Sequence, residues 1–283
     1  MNGFGPQKFF YGTPNSLGRH LAVVEKGLSV TNTVFMVGMA GSGKSSLTAA
    51  YSEWLKGSDQ DVLVANFDPG ATALPYNPDI DARQYVDVEK LMLDYKLGPN
   101  GALIMASDLL ADNLEEIRGE IQDANPDILI VDTPGQIELF AFREGGRFIA
   151  NQLTEEGRAI VYLMDAPFTR SPLNFVSNIY LAAAIYSRIM QPQIYVLSKA
   201  DLVSDQELDT IVAWATEHEA FEESLRAVQE QGFSMISMNL ANAVFDAGLL
   251  SEPIPVSAKD NSGLVELNAA VTRVLTGGEE QSS

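Results

Sequence analysis

The run Gly38-Met39-Ala40-Gly41-Ser42-Gly43-Lys44-Ser45-Ser46 holds the residue types that a polyphosphate chain demands, in the order it demands them. Its glycines let the backbone curl until successive N–H groups point inward as a nest of donors around a phosphate. Lys44 adds a compact positive charge toward the β- and γ-phosphates, and the Ser45 hydroxyl is placed to ligate Mg²⁺. The apolar stretch Thr33–Val37 before the run reads as a strand, and Leu47–Tyr51 after it reads as a helix start. An anion held by the run therefore lies at a helix N-terminus, where N–H groups are unpaired and the dipole is favourable. Without those flanks the glycines would be an ordinary turn. With them, Gly38, Ala40, Gly41, Ser42, Gly43, Lys44, Ser45 and Ser46 form a candidate triphosphate site.

Two further segments end apolar runs with chemistry of the same kind. Ile128–Val131 leads into Asp132-Thr133-Pro134-Gly135-Gln136, where Asp132 at a strand's carboxyl end can hold a water on Mg²⁺ and the Gly135 N–H can sense a γ-phosphate. Taken alone this is a turn with helix-capping chemistry; downstream of a phosphate loop it reads as a switch. Ile194–Leu197 runs into Ser198-Lys199-Ala200-Asp201. A carboxylate at Asp201 accepts from both the N1–H and the exocyclic amine of guanine. Adenine has a bare acceptor at N1 and would leave that carboxylate unpaired. Lys199 would lay its aliphatic stem along the purine face, and the backbone of Ser257-Ala258-Lys259, at another strand end, can meet the guanine O6. The competing reading of Lys199 and Asp201 is an exposed ion pair. All four segments in this order favour guanine.

These segments need a scaffold that brings strand ends together. Strand-like runs near Val34–Val37, Val62–Phe67, Ile128–Val131, Ile160–Met164, Ile194–Leu197 and Pro253–Val256 alternate with helical periodicity at Lys44–Leu55, Leu109–Gln122, Phe142–Gln152, Phe175–Met190 and Leu264–Leu275. The alternation predicts an α/β fold, a doubly wound and mostly parallel sheet with helices on both faces and ligands at its carboxyl edge. The connections Asp68 to Leu109 and Leu202 to Pro253 are too long for simple crossovers and are expected to carry helices, as insertions near 69–108 and 203–252 of a domain spanning 32–276. Residues 1–31 read as an extension with an amphipathic helix over Ser16–Gly27, and 277–283 as a frayed tail.

Composition removes several function classes. Among 283 residues, 38 are acidic and 18 basic, a net charge of −20 that opposes binding to nucleic acid or anionic lipid and reads most simply as a solubility or high-salt adaptation. There is no cysteine, and His20 and His218 stand apart from other soft ligands, so thiolate chemistry and nickel or zinc delivery lose their donors. No apolar run approaches a membrane span, and Met1–Tyr11 lacks a signal peptide's apolar region, so a cytoplasmic location and no membrane partner are expected. Arg143 and Arg147, on one helical face by their spacing, are expected to pair with nearby acids.

With these motifs assembled, the sequence resembles the GPN-loop GTPases of archaea and eukaryotes over about Thr33 to Val274. Leu97-Gly98-Pro99-Asn100-Gly101-Ala102 stands where that family carries its Gly-Pro-Asn loop. Asn66-Phe-Asp68-Pro69-Gly70-Ala71, Tyr76–Arg83, Val88-Glu89, Asp132–Glu138, Asp165–Phe175 and Pro192–Leu202 also look like the family's stretches. GTPases usually carry Asn at the position of Ser198, but this family tolerates Ser. The extension before Thr31 and the strong acidity are departures. The resemblance implies a homodimer that hydrolyses GTP to GDP with Mg²⁺, each Gly-Pro-Asn loop reaching the partner's nucleotide. By that reading Asn100 contacts the γ-phosphate region in trans, the Gly98 and Pro99 carbonyls help fix the attacking water, and Gln136 and Glu138 orient or polarise it. Asp68 matches a family Asp near the Mg²⁺ and water. The bland rival for Gln136 and Glu138 is a pair of first-turn helix residues.

The resemblance also implies a switch with a protein client in assembly of a large complex such as RNA polymerase, an analogy at family level. Two alternatives stay open: an ATP-dependent dimeric P-loop enzyme, and a scaffold that binds nucleotide without hydrolysing it.

Overall fold

A computed structural model describes residues 31–277 except 156, 230–238, 240–241, 244, 247 and 249–250. The expected helix at Ser16–Gly27, and the tail beyond Gly277, lie outside the described residues. Seven strands form one sheet: β1 Asn32–Gly38, β2 Val62–Asn66, β3 Ile80–Asp81, β4 Ile128–Asp132, β5 Arg158–Asp165, β6 Gln193–Ser198 and β7 Ile254–Val256. Their order is β3-β2-β4-β1-β5-β6-β7, and every pairing is parallel. The sheet is thus wholly parallel among the described strands. The phosphate-loop strand sits at its centre, between β4 and β5.

The strands are buried on both faces, which is why they read as continuous apolar runs. Their side chains alternate. Phe35, Val37, Leu129, Val131, Ile160 and Tyr162 enter one core, and Val34, Met36, Ile128, Ile130, Ala159 and Val161 enter the other. The second core is closed by α1, Lys44–Lys56, through Leu47, Tyr51 and Leu55, and by the C-terminal helix Leu264–Leu275 through Leu264, Leu267 and Val271. Each such Leu contributes about 1.5–3 kcal/mol on full burial, and three buried side chains fix each helix to the sheet.

The first core is covered by the longer set of helices, Pro99–Asp112, Leu114–Ala124, Glu144–Gln152, Pro172–Ile189, Asp205–Thr216 and His218–Gln229. Helices Asp205–Thr216 and His218–Gln229 occupy the connection expected to carry them. Among the described residues no helix is long and apolar enough to cross a membrane.

Three local readings are corrected. The single helix expected over Leu109–Gln122 is two. Asn113 separates them, its side-chain amide donating to the Leu109 carbonyl at 2.8 Å and its backbone N–H to Leu110 at 3.2 Å, so it competes with the helical ladder. The helix expected from Phe142 begins at Glu144, and Glu138–Phe142 before it forms a π-helical turn. Strand β3 was not expected, being two residues long. It is pinned from outside its own ladder: the Val64 N–H donates to the Asp79 carboxylate at 2.8 Å, and the Asp79 N–H to the Val64 carbonyl at 2.8 Å.

The wide π-turn packs directly on the next helix at Gly146, where a Cβ would run into the Phe140 carbonyl. Gly119, inside Leu114–Ala124, has open space where a Cβ would stand. Gly146→Ala is therefore expected to lower the free energy of unfolding by about 1–3 kcal/mol, while Gly119→Ala raises it by about 0.5–1 kcal/mol. Urea denaturation of the two variants should move the midpoint in opposite directions.

Candidate functional site

The loop after β1 is shaped by its glycines. Gly41 and Gly43 adopt positive φ, +78° and +90°, where a side chain would be strained. At Gly38 a Cβ would meet the Ser42 hydroxyl at 2.6 Å and the Leu163 carbonyl at 2.7 Å. Lys44, the first residue of α1, is only 6% exposed, and its ammonium donates to the Gly38 and Met39 carbonyls at 3.1 Å each. Burial lowers its pKa, opposed by the charges of Asp132 and Asp68. The lysine is thus folded back over the loop it serves, and Ser45 and Ser46 follow in the first turn of α1.

Asp132 ends β4 with 1% exposure. Burial raises its pKa, opposed by the Ser45 and Tyr76 hydroxyls and by Lys44. The Tyr76 hydroxyl donates to Oδ2 at 2.8 Å, whereas Oδ1 is buried with no hydrogen-bond partner. Burial, followed by the neighbouring Asp132 charge, raises the Tyr76 pKa, so the phenol stays protonated and can donate. Asp68 bridges two loops: its carboxylate accepts from Gly70 N–H at 2.9 Å and from Gly135 N–H at 3.2 Å. Behind it, Asn66 accepts from the Asp68 N–H at 3.0 Å and donates to Asp81 at 2.9 Å. Burial works to raise the Asp81 pKa, but the bonds from Arg83 and Asn66 outweigh it and the carboxyl lies below its ordinary value. Gly135 stands over Ala40, whose Cβ a side chain there would touch at 3.8 Å. The switch segment and the phosphate loop are therefore in contact.

The base signature closes the opposite end. Ser198, 4% exposed at the end of β6, has its hydroxyl 2.6 Å from the Ser42 carbonyl and 3.1 Å from the Met164 carbonyl. Lys199 has a left-handed backbone, φ +58°, a strained position for a lysine. Its ammonium donates to the Gly41 carbonyl at 2.6 Å and pairs with Asp165 at 2.6 Å, and its stem lies 3.7 Å from where a Gly43 Cβ would stand. Asp201 lies at the surface, yet its side chain is only 15% exposed and accepts from the Ser257 hydroxyl at 3.1 Å. Ser257 also accepts from the Lys259 N–H at 3.2 Å. A cavity of about 310 Å³ opens here, lined by Gly43, Ser46, Ser198, Lys199, Asp201, Ala258 and Lys259 together with Leu47, Leu202 and Val256.

Sequence-predicted residues thus gather in two groups that share the phosphate loop, Asp68, Asp132 and Gly135 at one end and the base signature at the other. Gln136 and Glu138 are exposed at the start of the π-turn. Gly98, Pro99 and Asn100 are exposed at the N-terminus of the helix Pro99–Asp112, with Gly98 O accepting from Ala102 N–H at 3.0 Å. Among the described residues no hydrogen bond joins them to the phosphate loop of their own chain. Arg143 pairs with Asp108 at 2.8 Å. Sequence reasoning gave no role to Tyr76, Asp81 or Asp165. Asp165 ends β5, the same strand-end position that marked Asp132; Tyr76 lies in a loop that carries no such signal.

Fold and loop together define a P-loop protein of the parallel α/β kind. Comparison narrows this. The family whose model matches residues 36–277 is described as "Conserved hypothetical ATP binding protein". GPN-loop GTPase 1 of Saccharomyces cerevisiae is 30% identical over 202 residues, 70% of this chain and 52% of that protein. GPN-loop GTPase 3 of Kluyveromyces lactis is 30% identical over 254 residues, 88% of this chain and 93% of that protein. The crystal structure of PAB0955, a GTPase in apo form from Pyrococcus abyssi, superposes with a TM-score of 0.75 at 27% identity, covering 86% of this chain and 96% of that one. The chain belongs to the GPN-loop GTPase family. It spans about half the length of the first curated relatives it matches.

Ser198 ties its own loop to the phosphate loop through one hydroxyl, so Ser198→Ala takes the donor from the Ser42 carbonyl. The expected loss is about 1–3 kcal/mol of unfolding free energy, read by urea denaturation of the ligand-free protein.

Proposed function

We propose that this chain binds GTP with Mg²⁺ and hydrolyses it to GDP and phosphate as a homodimer. The observation that carries the base assignment is the Asp201 carboxylate, oriented by Ser257 at the edge of the 310 Å³ cavity beside the Lys199 stem. A guanine in that cavity offers Asp201 two donors. An adenine offers its N1 lone pair and leaves the carboxylate unsatisfied. The description of the matching family names ATP, so the choice of base is the point to test.

The residues present fit a Mg²⁺ ion. Asp132 Oδ1 is a buried acceptor with no hydrogen-bond partner, and the Ser45 hydroxyl faces the same carboxylate. One carboxylate and one hydroxyl suit a cation that keeps waters and takes phosphate oxygens for its remaining ligands. Bound there with Ser45 and Asp132, Mg²⁺ would neutralise charge on the β- and γ-phosphates. The chain's own residues supply the remainder: loop N–H groups and Lys44 hold the phosphates, and Asp68, Gln136 and Glu138 orient the water. That water attacks the γ-phosphorus as the bond to the β-phosphate oxygen breaks, so positioning and charge stabilisation carry the rate.

The trans arrangement is supported by where Gly98, Pro99 and Asn100 lie, exposed and unbonded to their own phosphate loop. A second copy would bring Asn100 to the γ-phosphate, with the Gly98 and Pro99 carbonyls beside the water. The family resemblance adds a protein client in an assembly pathway, with RNA polymerase as the example; a pulldown comparing GTP-analogue and GDP states tests it. The cytoplasm is the compartment that fits this role.

Labelled GTP should be displaced by GDP and hardly by ATP, and Asp201→Ala should weaken GTP about 10²-fold or more while leaving ATP binding unchanged. Preference for ATP in the parental protein would overturn the base assignment. In a second test, Asn100→Ala should dimerise and bind GTP yet release phosphate slowly in single turnover. Release at the parental rate would remove Asn100 from the mechanism, and no release from the parental protein over hours would favour the scaffold.

A further inference from the structure

Tyr76 lies on the loop between β2 and β3, and its place is fixed from two sides. The paired bonds between Val64 and Asp79, both 2.8 Å, hold the loop's end on β2, and the phenol ring packs against the core beneath α1. The hydroxyl then reaches across to Asp132 Oδ2 at 2.8 Å. A carboxylate has two equivalent oxygens that exchange by a half-turn about its last torsion. The Tyr76 bond ends that equivalence: Oδ2 is taken, and Oδ1 remains the buried acceptor with no hydrogen-bond partner. The ring is held by core packing, so the hydroxyl acts as a rigid stop on the carboxylate.

We propose that Tyr76 is a positioning residue for the cation–nucleotide site, holding the Asp132 carboxylate by Oδ2 so that Oδ1 is presented to Mg²⁺ or to a water on it. This rests on the reading of Asp132 given under Proposed function. Outer partners of this kind typically set metal affinity by about 10- to 100-fold. A hydroxyl present only to satisfy a buried carboxylate would affect stability and leave the metal alone, and that difference makes the two roles separable.

The test uses Tyr76→Phe in the full chain, where the ring still fills its place. Binding of a fluorescent GDP is measured in EDTA and across a Mg²⁺ titration. The expected result is an unchanged affinity in EDTA and a rise of about 10-fold or more in the Mg²⁺ needed for half-effect. A Mg²⁺ requirement equal to the parental one overturns the proposal, as does an equal loss of affinity with and without Mg²⁺. Guanine-nucleotide binding by the parental protein that does not respond to Mg²⁺ removes the Mg²⁺ reading of Asp132 and this inference with it, whereas a Mg²⁺-dependent parental protein with an unshifted Tyr76→Phe sinks this inference alone. Preference of the parental protein for ATP sinks the base assignment instead, and Tyr76 is still judged by its Mg²⁺ titration.

Discussion

Lys44, at the start of α1, and Asp132, at the end of β4, bury opposite charges without pairing to each other. Direct contact would neutralise both and close the space between them. The ammonium is held by the Gly38 and Met39 carbonyls, and the carboxylate by the Tyr76 hydroxyl at Oδ2, with Oδ1 left open. Each charge is stabilised by neutral dipoles, so each keeps its field for a ligand. The rest of the fold serves this separation. β1 and β4 are neighbours in parallel register, with Met36 opposite Asp132, which fixes how far the carboxylate lies from the loop that starts two residues later. In a molecule of net charge −20, a triphosphate meets repulsion almost everywhere else.

Much of this was legible in the sequence, and for a physical reason. Buried parallel strands must be apolar on both faces, so six of the seven appear as unbroken runs, and the loops that follow them carry the chemistry because strand ends are where a parallel sheet leaves backbone groups open. What was not legible depends on partners distant in sequence. Strand β3 is two residues long and exists because Asp79 and Asp81 bind groups on β2. Asn113 looked like one more polar residue on a helix, since only the structure shows its amide taking the Leu109 carbonyl. The π-turn at Glu138–Phe142 mixes buried Leu139, Phe140 and Ala141 in a run that fits neither helical nor strand period.

The same distinction divides the site. Residues proposed to meet phosphate or base announce themselves by type in the loops that follow strands. Residues that aim those groups are harder to read: Tyr76 sits in a loop with no such signal, and Asp165, though it ends β5, shows nothing of its partner. Their partners, Asp132 and Lys199, lie 56 and 34 positions away. No local pattern encodes such a contact.

The loops at the carboxyl edge are tied chiefly to one another. Thr133 donates to the Met36 carbonyl at 2.7 Å, Ser198 to Ser42 at 2.6 Å, Lys199 to Gly41 at 2.6 Å, and Gly135 to Asp68 at 3.2 Å. Each is a side-chain-to-backbone bond between segments that the sheet merely brings near. The strands beneath are held by ladders and two packed cores, whereas the loops depend on a handful of such bonds. Stability is therefore uneven, firm in the sheet and modest at the edge. Two single bonds tie the Ser198–Lys199 segment to the phosphate loop, while the segment after β4 is tied to β1 at Met36 and to Asp68. The Ser198–Lys199 segment and the phosphate loop are thus joined directly, at the Gly41 and Ser42 carbonyls, with no intervening element.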